Sequence, residues 1–526
     1  MIQAKDFPKK NCLFCNTKMN LNLTMNVLTH FEPPDRVISS AGVPIVTYLC
    51  PKCGFVACFH DTTMKKILVI TALIAILNNG FADERKTLEK HVTVTSAQRV
   101  DIEGISGSDI ELKSWDRNEV YMKIEVEISS SDDKYEKEYI SSVQISESKR
   151  ESAVRLRFEE MRTEEKGWSF LFKIFKRFYV SKKISGEVFV PRANPLTTDM
   201  KYGKISLEGM DGTVRLNGTT NTLKISDCSS LEEIQNNYGT TTIRNCGGKL
   251  QLDGTSSTIR VDGFNGSLHI DADYSEVALV RVTDKIRLND QSGTIEIDEV
   301  NSDVRLDADY STITVNNVKG FVDIKSTSAT VRVKHVDGAQ VQANYSEVDI
   351  AGVSGAAKKP IIITGQSGSL TLYDAAGNVE INNPYSNIDL RRIDGAIDLT
   401  SKSADVTAED IKGDWKSQTE YSSIKVSRLA AQSIYITNKS NPVSLQLTAV
   451  PLRMDIKNEY GDVTVTMPHG FSGNVELDAE YGSVNTNLNV RRKSSGSSGF
   501  ATGTIGSGSG SIFIHAKSSD IELIEE

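Results

Sequence analysis

The sequence predicts an all-β fold, a parallel β-solenoid with coils of about 18 residues behind a strand-rich cap and a small zinc ribbon. Three observations lead there. Tyr202, Tyr238, Tyr274 and Tyr310 stand 36 residues apart, each followed by Gly or Ser, and the dipeptide recurs at Tyr345, Tyr385, Tyr421, Tyr460 and Tyr481. Midway between them lie Ser256 in TSS, Ser292 in QSG, Ser328 in TSA, Ser367 in QSG and Ser403 in KSA, which halves the period. Within one unit, TIEIDEVNSDVRLDADYS, the apolar residues Ile295, Ile297, Val304 and Leu306 alternate with polar ones, the two-residue period of a strand with one buried face.

An 18-residue coil has a perimeter of about 60 Å, enough for two short strands held about 10 Å apart by interdigitating side chains. A coil twice as wide would show longer unbroken alternation, and none is present. Tyr and Ser then alternate along one corner of the stack, a bulky ring beside a small residue, which fills a column without voids. This assigns the tyrosines to packing; an exposed aromatic row for ligands is the alternative. The net charge of −9 and the absence of clustered Lys and Arg in the repeats argue against a nucleic-acid groove in the solenoid.

The elements before the repeats differ from one another. In residues 1–63, Cys12, Cys15, Cys50 and Cys53 form two CxxC knuckles, the second in CPKCG, a spacing that suits tetrahedral structural Zn²⁺. Cys58 and His60 are substitutes for one ligand. Such a closed site leaves no position for substrate, and so small and polar a segment needs the metal to fold. Residues 64–82 have the charged start, apolar middle and small-residue end of a secretory signal peptide, with cleavage after Ala82. The apolar run is too short to span a bilayer as a helix. A signal so far into the chain implies translation from Met64, with residues 1–63 a gene-start or fusion artefact, or else a cytosolic segment ahead of an internal signal.

Residues 83–200 alternate cleanly in HVTVTSAQRVDIEG and SDIELKSWDRNEVYMKIEVEIS and form a cap that covers the first open edge of the solenoid. An insertion, GWSFLFKIFKRFYV, sets Trp168, Phe170, Phe172 and Phe175 among Lys173, Lys176 and Arg177. It is a hairpin packed on the cap, or an interfacial patch for a peripheral membrane contact or a docking protein.

The repeats occupy residues 201–490. Cys228 and Cys246, 18 residues apart, fall at one place on successive coils, a spacing that a rung-to-rung disulfide accepts; two buried thiols are the alternative. SGAAKKPIIIT, residues 354–364, lengthens one coil into a loop suited to partner contact. In residues 491–526 a flexible Gly/Ser stretch, 494–510, precedes strands expected to close the last coil.

The units NDQSGTIEIDEV, NEYGDVTVTM and DAEYGSVNTNL, with the export signal, VPRANPL and the ending TIGSGSGSIFI, resemble the bacterial adhesin-like β-solenoid family of unknown function from about Val92 onward. The resemblance implies a right-handed parallel β-helix at the cell envelope or surface and carries no catalytic residues. Residues 1–63 have no counterpart in it. Parallel β-helices also include polysaccharide-active enzymes, which use clustered carboxylates; Asp271 with Asp273, Asp307 with Asp309, and Asp478 with Glu480 are the only acidic ladder available. They could equally clamp Ca²⁺ or be solvated. No HExxH, nucleophile elbow or phosphate loop occurs. The expectation is therefore an exported, non-enzymatic binding or structural scaffold whose partner is a cell-surface glycan or an envelope protein. The alternatives are a polysaccharide-active enzyme and a zinc-ribbon regulator with an exported sensor.

Overall fold

The computed structural model describes residues 20–27, 43–49, 56–60, 84–107, 109–130, 133–160 and 180–526, and the chain divides into two units, Met1–Asp83 and Glu84–Glu526. In the first unit, strands Asn20–Val27, Val43–Leu49 and Val56–His60 form an antiparallel sheet. The paired Val27 and Val43 place a hairpin in the sequence between the two knuckles. Cys12, Cys15, Cys50 and Cys53, the export segment 64–82, and Trp168, Phe170, Phe172, Lys173, Phe175, Lys176 and Arg177 lie outside the described residues.

The second unit is a parallel β-solenoid of about 15 turns with coils roughly 18 residues apart. Its regularity follows from strand alternation. In one coil Val277, Leu279, Val282, Ile286 and Leu288 point inward and are at most 2% exposed, and the next coil repeats them as Ile295, Ile297, Val300, Val304 and Leu306. Register puts like on like, Val277 against Ile295 and Leu288 against Leu306. Each such side chain contributes about 1.5–3 kcal/mol when buried, but a coil alone has nothing to bury it against. Wider side chains are matched locally. Trp415 stands where its neighbours have Ile397 and Ile434, and the next inward residue shrinks to Ser417, whose Oγ accepts the indole N–H at 3.2 Å.

Each coil bends at two corners, most of them through a left-handed residue. One column of bends runs Asp227, Asn245, Gly263, Arg281, Glu299, Asn317, His335 and Gly352, all at positive φ. The other contains the tyrosines. At the first of these columns, rung-to-rung pairs such as Arg392 with Asp374 and Arg428 with Asp410 lie on the surface, where they add little stability.

The two ends of the stack depart from sequential winding. Arg99–Ser106 and Asp109–Trp115 pair in parallel with Ala153–Glu159 and Val180–Pro191 on one side and with Leu196–Lys201 and Lys204–Glu208 on the other. A coil early in the chain thus lies between two later ones. Antiparallel strands cover the outer edge: Glu119–Ser130 bridges Val180–Pro191 and Glu84–Thr93, and Gln144–Lys149 pairs with Ala153–Glu159. A helix, Asp133–Ser142, absent from the sequence expectation, follows Glu119–Ser130; its first turn is acidic, which suits the positive end of the helix dipole, and Tyr139 is its buried anchor.

The C-terminal end repeats the device. Gly510–Lys517 and Ile521–Glu525 lie between the coil of Arg453–Tyr460 and Val463–Met467 and the coil of Gly473–Glu480 and Val484–Thr486. The closing strands expected to form the last coil form the one before it. The Gly/Ser stretch also differs from expectation. Ser498–Ile505 is a strand, antiparallel to Gly473–Glu480 and to Arg491–Ser495, because small residues let it lie flat over the open edge.

Candidate functional site

The tyrosine corner is built from the residues beneath it. In the segment Ala272-Asp273-Tyr274-Ser275 the bend at Tyr274, φ 58°, interrupts strand alternation, so that Asp273 and Tyr274 both face solvent while Ala272 and Ser275 both face inward. The bend lifts backbone donors out of the ladder, and the inward hydroxyls meet them: Ser257 N–H donates to Ser275 Oγ at 3.0 Å, and Ser275 Oγ donates to Gly254 O at 2.7 Å. The same contact recurs from Gly293 N–H to Ser311 Oγ, Ala329 N–H to Ser346 Oγ, Ala404 N–H to Ser422 Oγ and Gly461 N–H to Ser519 Oγ.

Space in this inner corner is filled from one side or the other. At Tyr274 and Tyr310, Ser follows the bend and a small residue stands two before it, Ala272 with Ser275 and Ala308 with Ser311. At Tyr238, Ser292 and Tyr460, Gly follows and Asn or Asp stands two before, Asn236 with Gly239, Asp290 with Gly293 and Asn458 with Gly461. A Cβ at Gly293 would lie 2.3 Å from Asp290 Oδ2, and one at Gly239 would lie 2.4 Å from Asn236 Nδ2. Burial holds the Asp290 carboxyl above the usual carboxylate range, with the Ser311 hydroxyl donating to Oδ2 at 2.9 Å in partial opposition.

Above this polar corner the tyrosines are not packed. They are 47% to 64% exposed, from Tyr421 to Tyr238, which corrects the expectation that they fill a column and supports the alternative of an open aromatic row. The expectation rested on a large ring leaning over the small residue of the next coil to fill a column. The bend at positive φ shifts the phase, and its signal in the sequence is the pair of small or polar residues on either side of each bend.

Stacking places Thr220, Ser256, Ser292, Ser328, Ser367, Ser403, Ser440 and Ser518 in the same column, alternating strictly with the nine tyrosines. The alternation survives the threaded end. Tyr460 and Tyr481 are close in sequence, yet the inserted coil sets Ser518 between them, with Ser518 N–H donating to Glu480 O at 2.6 Å. Beside the column a shallow polar groove crosses the residues before Tyr385, Ser403 and Tyr421, lined among others by Pro384, Thr400, Lys402, Gln418 and Glu420.

The carboxylates singled out in the sequence do not assemble into an acid–base pair. Asp271 and Asp307 share an outward column, but Asn289 stands between them and donates to Asp271 Oδ1 at 2.6 Å, while Gln251 donates to its other oxygen at 3.1 Å. Asp478 lies 3.2 Å from His515 Nδ1. Among the described residues no three His, Cys, Asp or Glu side chains are grouped to hold a metal ion. Cys228 and Cys246 fall in one core column, buried and as separate thiols; Cys228 N–H donates to Cys246 Sγ at 3.4 Å, and the neighbouring sulfur together with burial pushes the Cys228 thiol up. The 354–364 loop is held against the stack, with Ser354 Oγ donating to Asp337 at 2.8 Å and the Lys359 ammonium 4.5 Å from the Phe321 ring centre.

Comparison with known proteins finds a family model that matches part of the chain. The model of Toastrack DUF4097, a family of unknown function, matches residues 356–524, which carry four of the column tyrosines and the threaded C-terminal end. A solved chain described as a “putative cell adhesion protein” from Clostridium sporogenes is similar at 10% identity, covering 84% of this chain and 100% of that one with a TM-score of 0.15. A search of curated proteins returns no match.

Proposed function

We propose that this protein is an exported, adhesin-like scaffold of the cell envelope that binds through the tyrosine corner and performs no catalysis. The observation that carries this is the contrast between the two bends of each coil. The first column uses left-handed backbone, and so does the second at Tyr202, Tyr238, Tyr274, Tyr310, Tyr345 and Tyr481, where a bulky side chain is costlier than glycine. The Asp227-to-Gly352 column accepts acids, bases, amides and glycine in turn, so the backbone imposes no side chain there. Its partner column keeps a tyrosine on every second coil, largely in solvent. Nothing in the fold requires those rings; recognition does, because an exposed aromatic face with a polar hydroxyl is an effective contact surface.

The amide set between Asp271 and Asp307 supports the non-enzymatic side of this assignment. Export rests on residues 64–82, and the partner is a glycan or a protein of the envelope, with the aromatic and basic segment around Phe172 as a second contact to membrane. Two measurements test it. Mass spectrometry of the native protein finds its N-terminus at Asp83; a mature chain that keeps residues 64–82 overturns export. Co-sedimentation of the full chain with isolated envelopes is lost when Tyr238, Tyr274, Tyr310 and Tyr345 are all changed to Ser; unchanged sedimentation overturns display by the corner.

A further inference from the structure

We propose that the segment of the corner from Tyr238 to Tyr345 binds a basic, proline-rich polypeptide in the polyproline II conformation, with proline at every third residue. The proposal rests on the display role above and names its ligand.

Period comes first. Two coils advance about 9.6 Å along the stack. A polyproline II helix rises about 3.1 Å per residue with three residues per turn, so a residue returns to the same face every ~9.3 Å. Over the three intervals from Tyr238 to Tyr345 the two ladders reach ~28 and ~29 Å and stay in step within about 1 Å. Prolines on one face of such a ligand enter the gaps over Ser256, Ser292 and Ser328, each between two rings. Aromatic-lined surfaces take this conformation because it is pre-formed and loses little entropy on binding. Its backbone carbonyls have no internal partners and can accept from exposed tyrosine hydroxyls; the Tyr345 hydroxyl already donates to Gln366 Oε1 at 2.7 Å and would have to exchange that bond.

Charge is the second and independent observation. The residue before each ring and the residue two after it flank the column. Between residues 237 and 347 those two flanking rows hold Asp273, Asp309, Glu276 and Glu347 and no Lys or Arg. Glu276 is already paired with Arg260 at 2.7 Å, whereas Asp273 and Asp309 form no ion pair among the described residues. One further position outward, Asp271 and Asp307 add carboxylates to a row that also holds Asn289 between them and Lys325 after Asp307. Lys or Arg at the positions between prolines meets these carboxylates on the far side of the gaps, whereas a neutral chain gains nothing from them.

Fluorescence anisotropy on the full chain tests this with a labelled peptide of four Pro-Pro-Lys repeats. The expected result is saturable binding that weakens with salt and is at least about tenfold weaker in the Tyr274→Ser, Tyr310→Ser double variant. Serine already occupies the same bend at Ser256, Ser292 and Ser328, so the variant keeps the backbone, and an unchanged melting curve verifies that. A peptide of the same composition with irregularly placed prolines binds at least about tenfold more weakly, and Asp273→Asn with Asp309→Asn removes most of the salt dependence. Absence of binding, or equal binding of the irregular peptide, overturns the proposal. Tyrosine-dependent binding of a neutral β-1,4-linked N-acetylglucosamine oligomer in place of the peptide overturns it too, while leaving the display role intact. The display role itself fails only in the envelope assay.

Discussion

Between Tyr202 and Tyr460 each coil rests on the one that precedes it in sequence, whereas at both ends a coil distant in sequence lies between two others. The middle is therefore a chain of neighbouring contacts, in which any coil can in principle be replaced by the next. The ends are closed by long-range contacts that cannot be exchanged. The same strand chemistry serves both, and the difference is one of connection: a solenoid repeats freely only where its edges are not exposed, and an antiparallel layer over a threaded coil removes the edge.

The largest test sets the two regions against each other. Removing residues 506–526 strips Gly473–Glu480 and Val484–Thr486 of their parallel partners and is expected to abolish a soluble, cooperatively melting chain. Removing residues 274–309 instead joins Asp273 to Tyr310 within the same DADY sequence and register, and should give a shorter solenoid with a melting temperature within a few degrees of the parent. Size-exclusion chromatography and thermal melting read both, and equal damage from the two deletions would break the distinction.

Single substitutions sharpen it. A Cβ at Gly473 would lie 2.0 Å from Gly510 O of the threaded coil, where backbone meets backbone, so Gly473→Ala should cost about 3 kcal/mol by denaturant unfolding. In the middle, a Cβ at Gly293 would meet both Asp290 Oδ2 at 2.3 Å and the Ser275 carbonyl oxygen at 2.4 Å, so Gly293→Ala should cost about 2 kcal/mol, of which adding Asp290→Ala recovers only the part owed to the carboxyl.

A smaller effect is a pH dependence. The folded state holds the Asp290 carboxyl above its unfolded value, so it binds the proton more tightly than the unfolded chain. Its contribution is complete below the ordinary carboxylate range and is lost as pH rises through the raised folded value. Asp290→Asn should flatten this part of the stability–pH curve and raise stability at neutral pH; a curve that keeps its slope would contradict the assignment. The smallest effect is expected at Tyr274→Ser, within about 0.5 kcal/mol of the parent, because the ring is 59% exposed and serine is native to the same bend on adjacent coils.

The coil length, the inward columns and the alternation of Tyr with Ser are legible in the sequence because each depends on residues within one or two coils. Ile295, Ile297, Val304 and Leu306 declare their own burial by spacing. Three features are not legible. Threading joins segments such as Arg453–Tyr460 and Gly510–Lys517 whose pairing leaves no periodic trace between them. The strand Ser498–Ile505 has the composition of a linker and gains its structure from the edge it covers. Exposure of Tyr202, Tyr238, Tyr274, Tyr310, Tyr345 and Tyr481 goes with a left-handed residue that reverses the alternation, and Tyr is not a residue type that announces such a bend.

The threaded C-terminal coil has a consequence for how the molecule comes into being. Synthesis runs from the N-terminus, so the seat for Gly510–Lys517 must stay open until that strand has emerged. The threaded strand is a keystone: a chain that lacks it can wind its middle but cannot lock this arch. Proteolysis of stalled chains should find residues 473–486 cleavable until Gly510–Lys517 and Ile521–Glu525 arrive and resistant afterwards, so that arrival of these strands and closure of the stack become a single event.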